Sequence, residues 1–267
     1  MVPGSTTLVS EGATPQTFAP FLAGRRAVVT GASRGIGAAV AIALAEAGAD
    51  VTGIARSVDA QRGTAETVST LGREFRALAG DLDDRQAVRR LCADVLAEGV
   101  PDVLVLAAGL QRRAPAAEFG DEQWDEVLEV NLRAPFVMSR EIGRAMLERG
   151  SGRIVFLASL LSFQGGLTVP AYAASKGAVA QLVKALSNEW AAGGVGVNAV
   201  APGYVSTEMN EALQADPMRS RQIGERIPLG RWARPEDVAG AVAFLASPAA
   251  AYISGITLPV DGGWLAR

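Results

Sequence analysis

The chain has 267 residues, of which 49% are hydrophobic and 20% are charged, a composition that excludes an intrinsically disordered protein and supports a substantial core. Twenty-five Lys and Arg residues against 28 Asp and Glu residues leave a net charge of −3, which argues against a nucleic-acid partner because no basic surplus neutralises phosphates. The chain contains no histidine, so mechanisms that use imidazole as a base, acid or metal ligand are excluded, and no metal site is predicted.

The amino-terminal residues 1–22 are rich in proline and small polar residues and are predicted to form a tail or arm before a single domain over residues 23–267. No basic segment followed by a long apolar run begins the chain, so no signal peptide is predicted. The longest run of apolar residues and glycine, residues 36–45, is too short to span a bilayer. We therefore expect a cytoplasmic protein without a membrane partner.

Strand and helix patterns alternate along the rest of the chain. Strands are predicted at residues 26–30, 50–55, 75–80, 102–109, 152–159, 195–202 and 256–263. Helices are predicted at residues 35–47, 59–72, 84–98, 121–149 (divided around Pro135), 172–191 and 235–246, with residues 206–234 irregular. This alternation predicts an α/β fold, a single-domain Rossmann-like, doubly wound, seven-stranded parallel sheet.

A glycine-rich turn, TGASRGIG at residues 30–37, joins the first strand to the first helix. Gly31 permits the sharp turn out of the strand, Gly35 lets the backbone approach a pyrophosphate, and Gly37 lets the helix pack closely. The helix N-terminus then offers free N–H groups to phosphates. Glycines also occur in purely structural turns, but this position favours a dinucleotide site.

The end of the second strand indicates which dinucleotide binds. An acidic residue there would bind the ribose 2′-hydroxyl of NAD, whereas this chain has Ala55 and Arg56 and no acid before Asp59. Arg34 supplies a second cation, and two guanidinium groups suit a 2′-phosphate. NADP is therefore the favoured cofactor and NAD the alternative, unless the arginines are merely solvated. Asp81, after the third strand, is predicted to bind the adenine rim or to cap a helix.

A second set of polar residues, Ser159, Tyr172 and Lys176, is predicted to carry the chemistry. Tyr172 and Lys176 lie four residues apart on a helix and therefore share a face. A tyrosine has a pKa of ~10 in water, and a nearby ammonium favours its phenolate, which would provide a base in a chain without histidine. Each residue alone is equally consistent with a structural role: a core tyrosine, a solvated lysine and a capping serine.

From about Leu22 to its end, the chain resembles the short-chain dehydrogenase/reductase family. The resemblance rests on TGASRGIG (30–37), Asp81, VNL (130–132), Ser159, YAASK (172–176) and APGYVSTEM (201–209). It implies that Tyr172 is the general acid/base, that Lys176 lowers its pKa and binds the nicotinamide ribose, that Ser159 stabilises the substrate oxygen, and that Asn131 holds a relay water. It also implies a homotetramer built through residues 121–149, residues 172–191 and the carboxyl-terminal strand.

The turn, the strand ends and the resemblance together predict the cofactor contacts. These are Gly31, Ser33, Arg34, Gly35, Ile36, Gly37, Arg56, Asp81, Leu82, Ala108, Gly109, Tyr172, Lys176, Pro202, Gly203, Val205 and Thr207. The chain departs from the family at residues 106–109, Leu-Ala-Ala-Gly, where the family usually has Asn-Asn-Ala-Gly. This departure predicts altered hydrogen bonding after the fourth strand.

We expect a small-molecule substrate. The wider sequence is similar to sugar-acid members of the family, the gluconate and 2-dehydro-3-deoxy-D-gluconate 5-dehydrogenases. Arg112 and Arg113 follow the fourth strand, and one of them is predicted to bind a substrate carboxylate, with Gln164 bonding a sugar hydroxyl; the alternative is that all three are surface residues. Two other functions stay open: reduction of 3-oxoacyl thioesters or xenobiotic ketones, and non-catalytic cofactor binding. Residues 206–230 are predicted to form a lid over the substrate or an ordinary surface helix.

Overall fold

The computed structural model describes residues 20–267, so most of the predicted amino-terminal tail lies outside the described residues. Leu22, the last residue of that predicted tail, is buried, and its N–H donates to the carbonyl of Ala47 at 2.8 Å. The packed part of the chain therefore includes Leu22.

Seven strands form one parallel sheet. They are β1 (Arg26–Thr30), β2 (Asp50–Ala55), β3 (Phe75–Ala79), β4 (Val103–Leu106), β5 (Gly152–Leu157), β6 (Val195–Pro202) and β7 (Thr257–Val260). Their order across the sheet is β3-β2-β1-β4-β5-β6-β7. The predicted doubly wound, seven-stranded parallel fold is confirmed.

Helices cover both faces of this sheet. Over residues 20–267, the helices of the chain are α1 (Gly35–Glu46), α2 (Arg62–Thr70), α3 (Arg85–Ala97), α4 (Asp121–Leu128), α5 (Ala134–Arg149), α6 (Pro170–Trp190), α7 (Glu211–Ala215), α8 (Pro217–Arg226) and α9 (Pro235–Ala246). Val29 and Val105 belong to the core that includes α1 and α9. Their strand neighbours Val28 and Leu104 belong to the core that includes α3, α5 and α6. The strands are apolar on both faces because helices cover both.

The direction of strand order reverses between β1 and β4. In open α/β sheets, ligands bind outside the carboxyl ends of the strands at such a reversal, because the connections leave on opposite faces and open a crevice. The glycine turn after β1 and the segment after β4 flank this crevice. The topology thus brings both predicted groups of site residues to one edge of the sheet.

Three predicted strands end two or more residues earlier than expected. β4 ends at Leu106, β5 at Leu157 and β7 at Val260, whereas the predictions extended to residues 109, 159 and 263. Beyond β4, the N–H of Ala108 donates to the Thr30 side chain at 3.0 Å instead of to a neighbouring strand. After β4, the apolar pattern therefore continues past the paired backbone into the segment that borders the crevice.

The prediction that residues 206–234 are irregular is wrong, since α7 and α8 lie within that segment. The Asp216 carboxylate accepts from the N–H groups of Met218 and Arg219 at 3.0 and 3.1 Å, and Pro217 occupies the first turn of α8. A capping aspartate followed by proline is a helix-start signal that the polar composition concealed.

Residues 121–149 are divided, as predicted, but the break precedes Pro135. α4 leads into a π-helical turn, Glu129–Arg133, and then into α5. Proline has no N–H to donate to the carbonyl four residues earlier, that of Asn131, so the regular ladder cannot continue there. Such π-turns are frequent at functional sites. No helix within residues 20–267 has the length and apolar character needed to cross a membrane.

Candidate active site

Tyr172 and Lys176 lie one turn apart near the start of α6, on the side that faces the end of β5. Lys176 is buried, and its ammonium donates to the carbonyl of Leu157 at 2.6 Å. The same ammonium lies 5.5 Å from the centroid of the Tyr172 ring, within the range of a cation–π contact. The helix therefore places a tyrosine hydroxyl and a positive charge in one corner of the crevice.

Burial acts against the charged form of both side chains. It raises the pKa of Tyr172, and a hydrogen bond with the Ser159 side chain opposes part of that rise. It lowers the pKa of Lys176 from 10.5 to about 8. Two opposite charges in such a place stabilise each other, so phenolate and ammonium are favoured together and each is disfavoured alone.

Ser159 follows β5 and caps a short 3-10 turn, Leu160–Ser162. Its hydroxyl accepts from the N–H of Leu161 at 3.2 Å. Ser162 bonds back to the N–H of Ser159 at 3.3 Å and donates to the carbonyl of Lys176 at 2.7 Å. This reciprocal cap ties the Ser159 turn directly to α6. Ser162 is a positioning residue that the sequence analysis missed.

Asn131 lies in the π-turn and is 2% exposed. Its amide oxygen accepts from the N–H of Leu110 at 2.8 Å, and its amide nitrogen donates to the carbonyl of Leu110 at 2.9 Å. The nitrogen also bonds Ser175 at 3.2 Å, and the Ser175 hydroxyl donates to the carbonyl of Tyr172 at 2.8 Å. Asn131 therefore connects the segment after β4 with the first turns of α6.

The glycine turn has the conformations that its sequence predicts. Gly31 and Gly35 have φ angles of 73° and 56°, values that residues with a side chain rarely adopt. A Cβ on Gly31 would come within 3.0 Å of the Cα of Ala108, and a Cβ on Gly37 would collide with the carbonyl oxygen of Gly31. The turn leaves no room for side chains on its inner face, which is the form of a backbone cradle for a pyrophosphate at a helix N-terminus.

The adenosine side of the crevice carries exposed cations. Arg34 immediately precedes α1 and pairs with Glu208, a contact that the sequence analysis did not anticipate. Arg56 is exposed directly after β2, while Asp81 is exposed after β3 and Leu82 beside it is buried. No acid stands at the end of β2 to bind a ribose 2′-hydroxyl, and these residues fit an adenosine ribose that carries a 2′-phosphate.

The remaining predicted cofactor contacts border the same crevice. A Cβ on Gly109 would lie 3.4 Å from Asn131 and 3.8 Å from Lys176, and one on Gly35 would lie 3.4 Å from the Thr207 methyl group. The full set of these residues is Ser33 and Ile36 in the turn, Ala108 and Gly109 after β4, and Pro202, Gly203, Val205 and Thr207 at the end of β6. The structure thus brings both halves of the predicted site together.

Comparison with known proteins decides the family. A family model described as enoyl-(acyl carrier protein) reductase matches residues 31–265. The 2-dehydro-3-deoxy-D-gluconate 5-dehydrogenase of Pseudoalteromonas atlantica is 53% identical over 248 residues, which are 92% of this chain and 98% of that protein. The chain belongs to the short-chain dehydrogenase/reductase family. Membership confirms the predicted class of NAD(P)-dependent oxidoreductases that act on CH–OH groups.

Two solved structures of this family are similar over most of the chain. One is a protein of Beutenbergia cavernae, provisionally assigned as an NAD(P)-dependent gluconate 5-dehydrogenase, with NADP bound at low occupancy. It has a TM-score of 0.90 and 52% identity, over 93% of this chain and 100% of that one. The other is the gluconate 5-dehydrogenase of Burkholderia cenocepacia with NADP and tartrate, with a TM-score of 0.88 and 38% identity, over 93% and 98% of the two chains.

The predicted substrate contacts are less open than the sequence suggested. The Nε and Nη2 groups of Arg112 donate to the two carboxylate oxygens of Glu126, at 2.8 and 2.6 Å, so this guanidinium already holds a carboxylate of its own chain. Arg113 bonds the amide oxygen of Gln111 at 2.7 and 2.8 Å when that amide is oriented to accept. Gln164 faces the indole N–H of Trp264 across 3.4 Å, near the end of the chain.

The altered segment after β4 is supported by Thr30. Residues 106–109 lack the amide side chains usual in the family, and the buried Thr30 hydroxyl instead holds the N–H of Ala108. A threonine at the end of an apolar strand carries no distinctive signal in the sequence. Its role becomes visible only when β1 and β4 are paired.

Proposed function

We propose that this chain interconverts a secondary alcohol and a ketone on a sugar acid of the gluconate or 2-dehydro-3-deoxygluconate type, with a nicotinamide cofactor. The observation that carries the proposal is the convergence of Ser159, Tyr172 and Lys176 beside the glycine turn at one edge of the sheet. The named activities of the relatives supply the substrate class.

Each polar group in this corner has a distinct part in the proposed mechanism. The nicotinamide supplies the acceptor or donor of the hydride. In the oxidising direction, the Tyr172 oxygen accepts the proton of the substrate hydroxyl, and in reduction it returns that proton to the carbonyl oxygen. Ser159 donates a hydrogen bond to the same substrate oxygen, which opposes charge developing on it. Lys176 keeps a positive charge near the phenolate, without which burial would hold Tyr172 neutral.

Asn131 acts through the backbone in this proposal. Its side-chain amide forms hydrogen bonds with the backbone N–H and carbonyl of Leu110 and with the Ser175 hydroxyl. These bonds hold the segment after β4 against the helix that carries Tyr172 and Lys176. The family role of an asparagine at this position, to hold a relay water, is compatible with these bonds.

The proposed cofactor is NADP, with NAD as the alternative. Arg34 and Arg56 would bind the 2′-phosphate, which carries most of two negative charges near neutral pH, and Asp81 with Leu82 would border the adenine. Both solved relatives described above contain NADP.

For the substrate carboxylate, Arg113 is the better of the two predicted arginines. Glu126 neutralises Arg112, whereas among residues 20–267 Arg113 forms no ion pair and bonds only the neutral amide of Gln111. The segment with Arg113 continues to Ala114, whose N–H donates to the carbonyl of Thr168 at 3.0 Å, just before α6. The segment that carries Arg113 therefore runs from Leu110, which Asn131 binds, to the start of the helix that carries Tyr172. The Burkholderia cenocepacia enzyme was solved with tartrate, another hydroxy acid.

The proposed assembly is a homotetramer formed through α4, α5, α6 and the carboxyl-terminal strand. Trp124 and Phe136 expose aromatic surface on α4 and α5, and Phe244, Tyr252 and Ile256 do so near β7. Two separated apolar areas are what a dimer of dimers buries. Light scattering coupled to size-exclusion chromatography tests the assembly: a monomeric mass at micromolar concentration contradicts it.

Oxidation of a sugar-acid panel tests the proposed activity. Gluconate, 2-dehydro-3-deoxygluconate, mannonate and galactonate are assayed with NAD⁺ and NADP⁺ separately. We expect one acid to give strong turnover that falls by roughly 10²–10⁴-fold in Tyr172→Phe. Arg113→Ala should raise KM for that acid more than Arg112→Ala does. Turnover of hydrophobic ketones or thioesters alone would instead assign a different carbonyl class.

A further inference from the structure

Arg34, in the glycine turn after β1, forms an ion pair with a carboxylate that follows β6. Its guanidinium pairs with Glu208, and the two side chains are 61% and 62% exposed. Over the described range 20–267, Glu208 is the only side-chain partner recorded for Arg34. The residue expected to bind the cofactor phosphate is thus already paired with an anion of its own chain.

The order of the strands shows towards which side of the crevice the Arg34 side chain is held. β2 and β6 lie on opposite sides of β1, and Glu208 follows β6 while Arg56 follows β2. Thr207, next to Glu208, lies against Gly35, which fixes the start of this segment over the turn. The ion pair therefore holds Arg34 toward β6, whereas the adenosine ribose of doubly wound folds lies near the end of β2.

We propose that Glu208 is a specificity-determining residue that weakens the preference for NADP over NAD. The proposal rests on the proposed cofactor site. The carboxylate and a ribose 2′-phosphate compete for one guanidinium, because Arg34 cannot lean toward β6 and toward β2 at the same time. NAD presents no 2′-phosphate and loses nothing to this competition. An exposed ion pair is weak, so Glu208 reduces the preference without abolishing NADP binding.

Calorimetric titration of the purified protein with NADP⁺ and NAD⁺ tests the proposal without any substrate. Glu208→Gln keeps the shape of the side chain and removes its charge. We expect it to tighten NADP⁺ roughly 1.5- to fivefold more than NAD⁺, the range set by the strength of an exposed pair. The probes 2′,5′-ADP and 5′-ADP, which lack the nicotinamide, should show the same difference, because Thr207 on the nicotinamide side then makes no contribution.

Two further variants separate competition for Arg34 from a general change in charge. Glu211→Gln removes an equal charge from an exposed residue of α7 that forms no ion pair among those described for residues 20–267, and we expect no change in the ratio of the two dissociation constants. In an Arg34→Ala background, Glu208→Gln should lose its selective effect. An equal tightening of both cofactors, or a selective effect that persists without Arg34, overturns the proposal.

Failure of the cofactor proposal gives a different result. A wild-type chain that binds NAD⁺ but no NADP⁺ refutes NADP as the cofactor. The role of Glu208 then survives only if Glu208→Gln gains measurable NADP⁺ binding, and it is refuted if that variant gains none.

Discussion

Lys176 offers a direct test of how burial sets charge in the corner with Tyr172. Its ammonium is almost completely buried, and burial lowers its pKa from 10.5 to about 8. At about 1.4 kcal/mol for each pKa unit, this fall corresponds to roughly 3 kcal/mol of folding free energy that the protein gives up to keep the lysine charged. Lys176→Met removes the charge and keeps most of the volume.

The sign of the effect follows from proton binding. Below pH 8, Lys176 is protonated in both the folded and unfolded chains, and burial of its charge lowers the free energy of unfolding of the wild type by the full amount. Between pH 8 and 10.5 the unfolded chain holds a proton that the folded chain has released, so wild-type stability rises with pH relative to Lys176→Met. We expect the difference in free energy of unfolding between the two proteins to change by up to about 3 kcal/mol over that interval.

Urea unfolding at fixed protein concentration, followed by tryptophan fluorescence at pH 7, 8.5 and 10, measures this difference. The chain has only two lysines, and the exposed Lys184 lies two turns further along the same helix. Lys184→Met is therefore a matched control that should show no such pH dependence. A difference between the wild type and Lys176→Met that stays constant, or moves the other way, would refute the account of Lys176. Lys176→Met should also lose turnover, because Tyr172 then lacks its positive partner.

Three other substitutions test the support of the site. Ser162→Ala removes the reciprocal cap on Ser159, so we expect a loss of about 0.5–2 kcal/mol in urea unfolding and a lower kcat with KM for cofactor unchanged; an unchanged kcat would contradict the positioning role. Gly37→Ala places a methyl group against the carbonyl of Gly31, so calorimetry should show loss of dinucleotide binding, and normal affinity would contradict the cradle. Asn131→Ala strips two bonds from partly buried backbone, and urea unfolding should reveal a loss of about 2–4 kcal/mol; a smaller loss would mean that water replaces these bonds.

Around Ser159, the sequence predicts the residues with distinctive chemistry but not the residue that positions them. The residues with distinctive chemistry, Ser159, Tyr172 and Lys176, are visible in the sequence because spacing on a helix and position after a strand are local properties. Ser162 is not, because its importance lies in a bond to the carbonyl of Lys176, fourteen positions later. Both serines take part in the reciprocal cap, and only the fold shows that Ser162 also binds α6.

The arginines also show the difference between what local sequence determines and what tertiary contacts decide. The amino-acid sequence by itself determined the strand–helix alternation, the glycine turn and the presence of cations near the expected ribose, since each depends on residues close together in the chain. Only the tertiary structure decided that Glu126 occupies Arg112 and that Glu208 occupies Arg34. A guanidinium binds whichever anion the fold brings within reach, and that choice depends on contacts across 14 and 174 positions, which local pattern cannot encode.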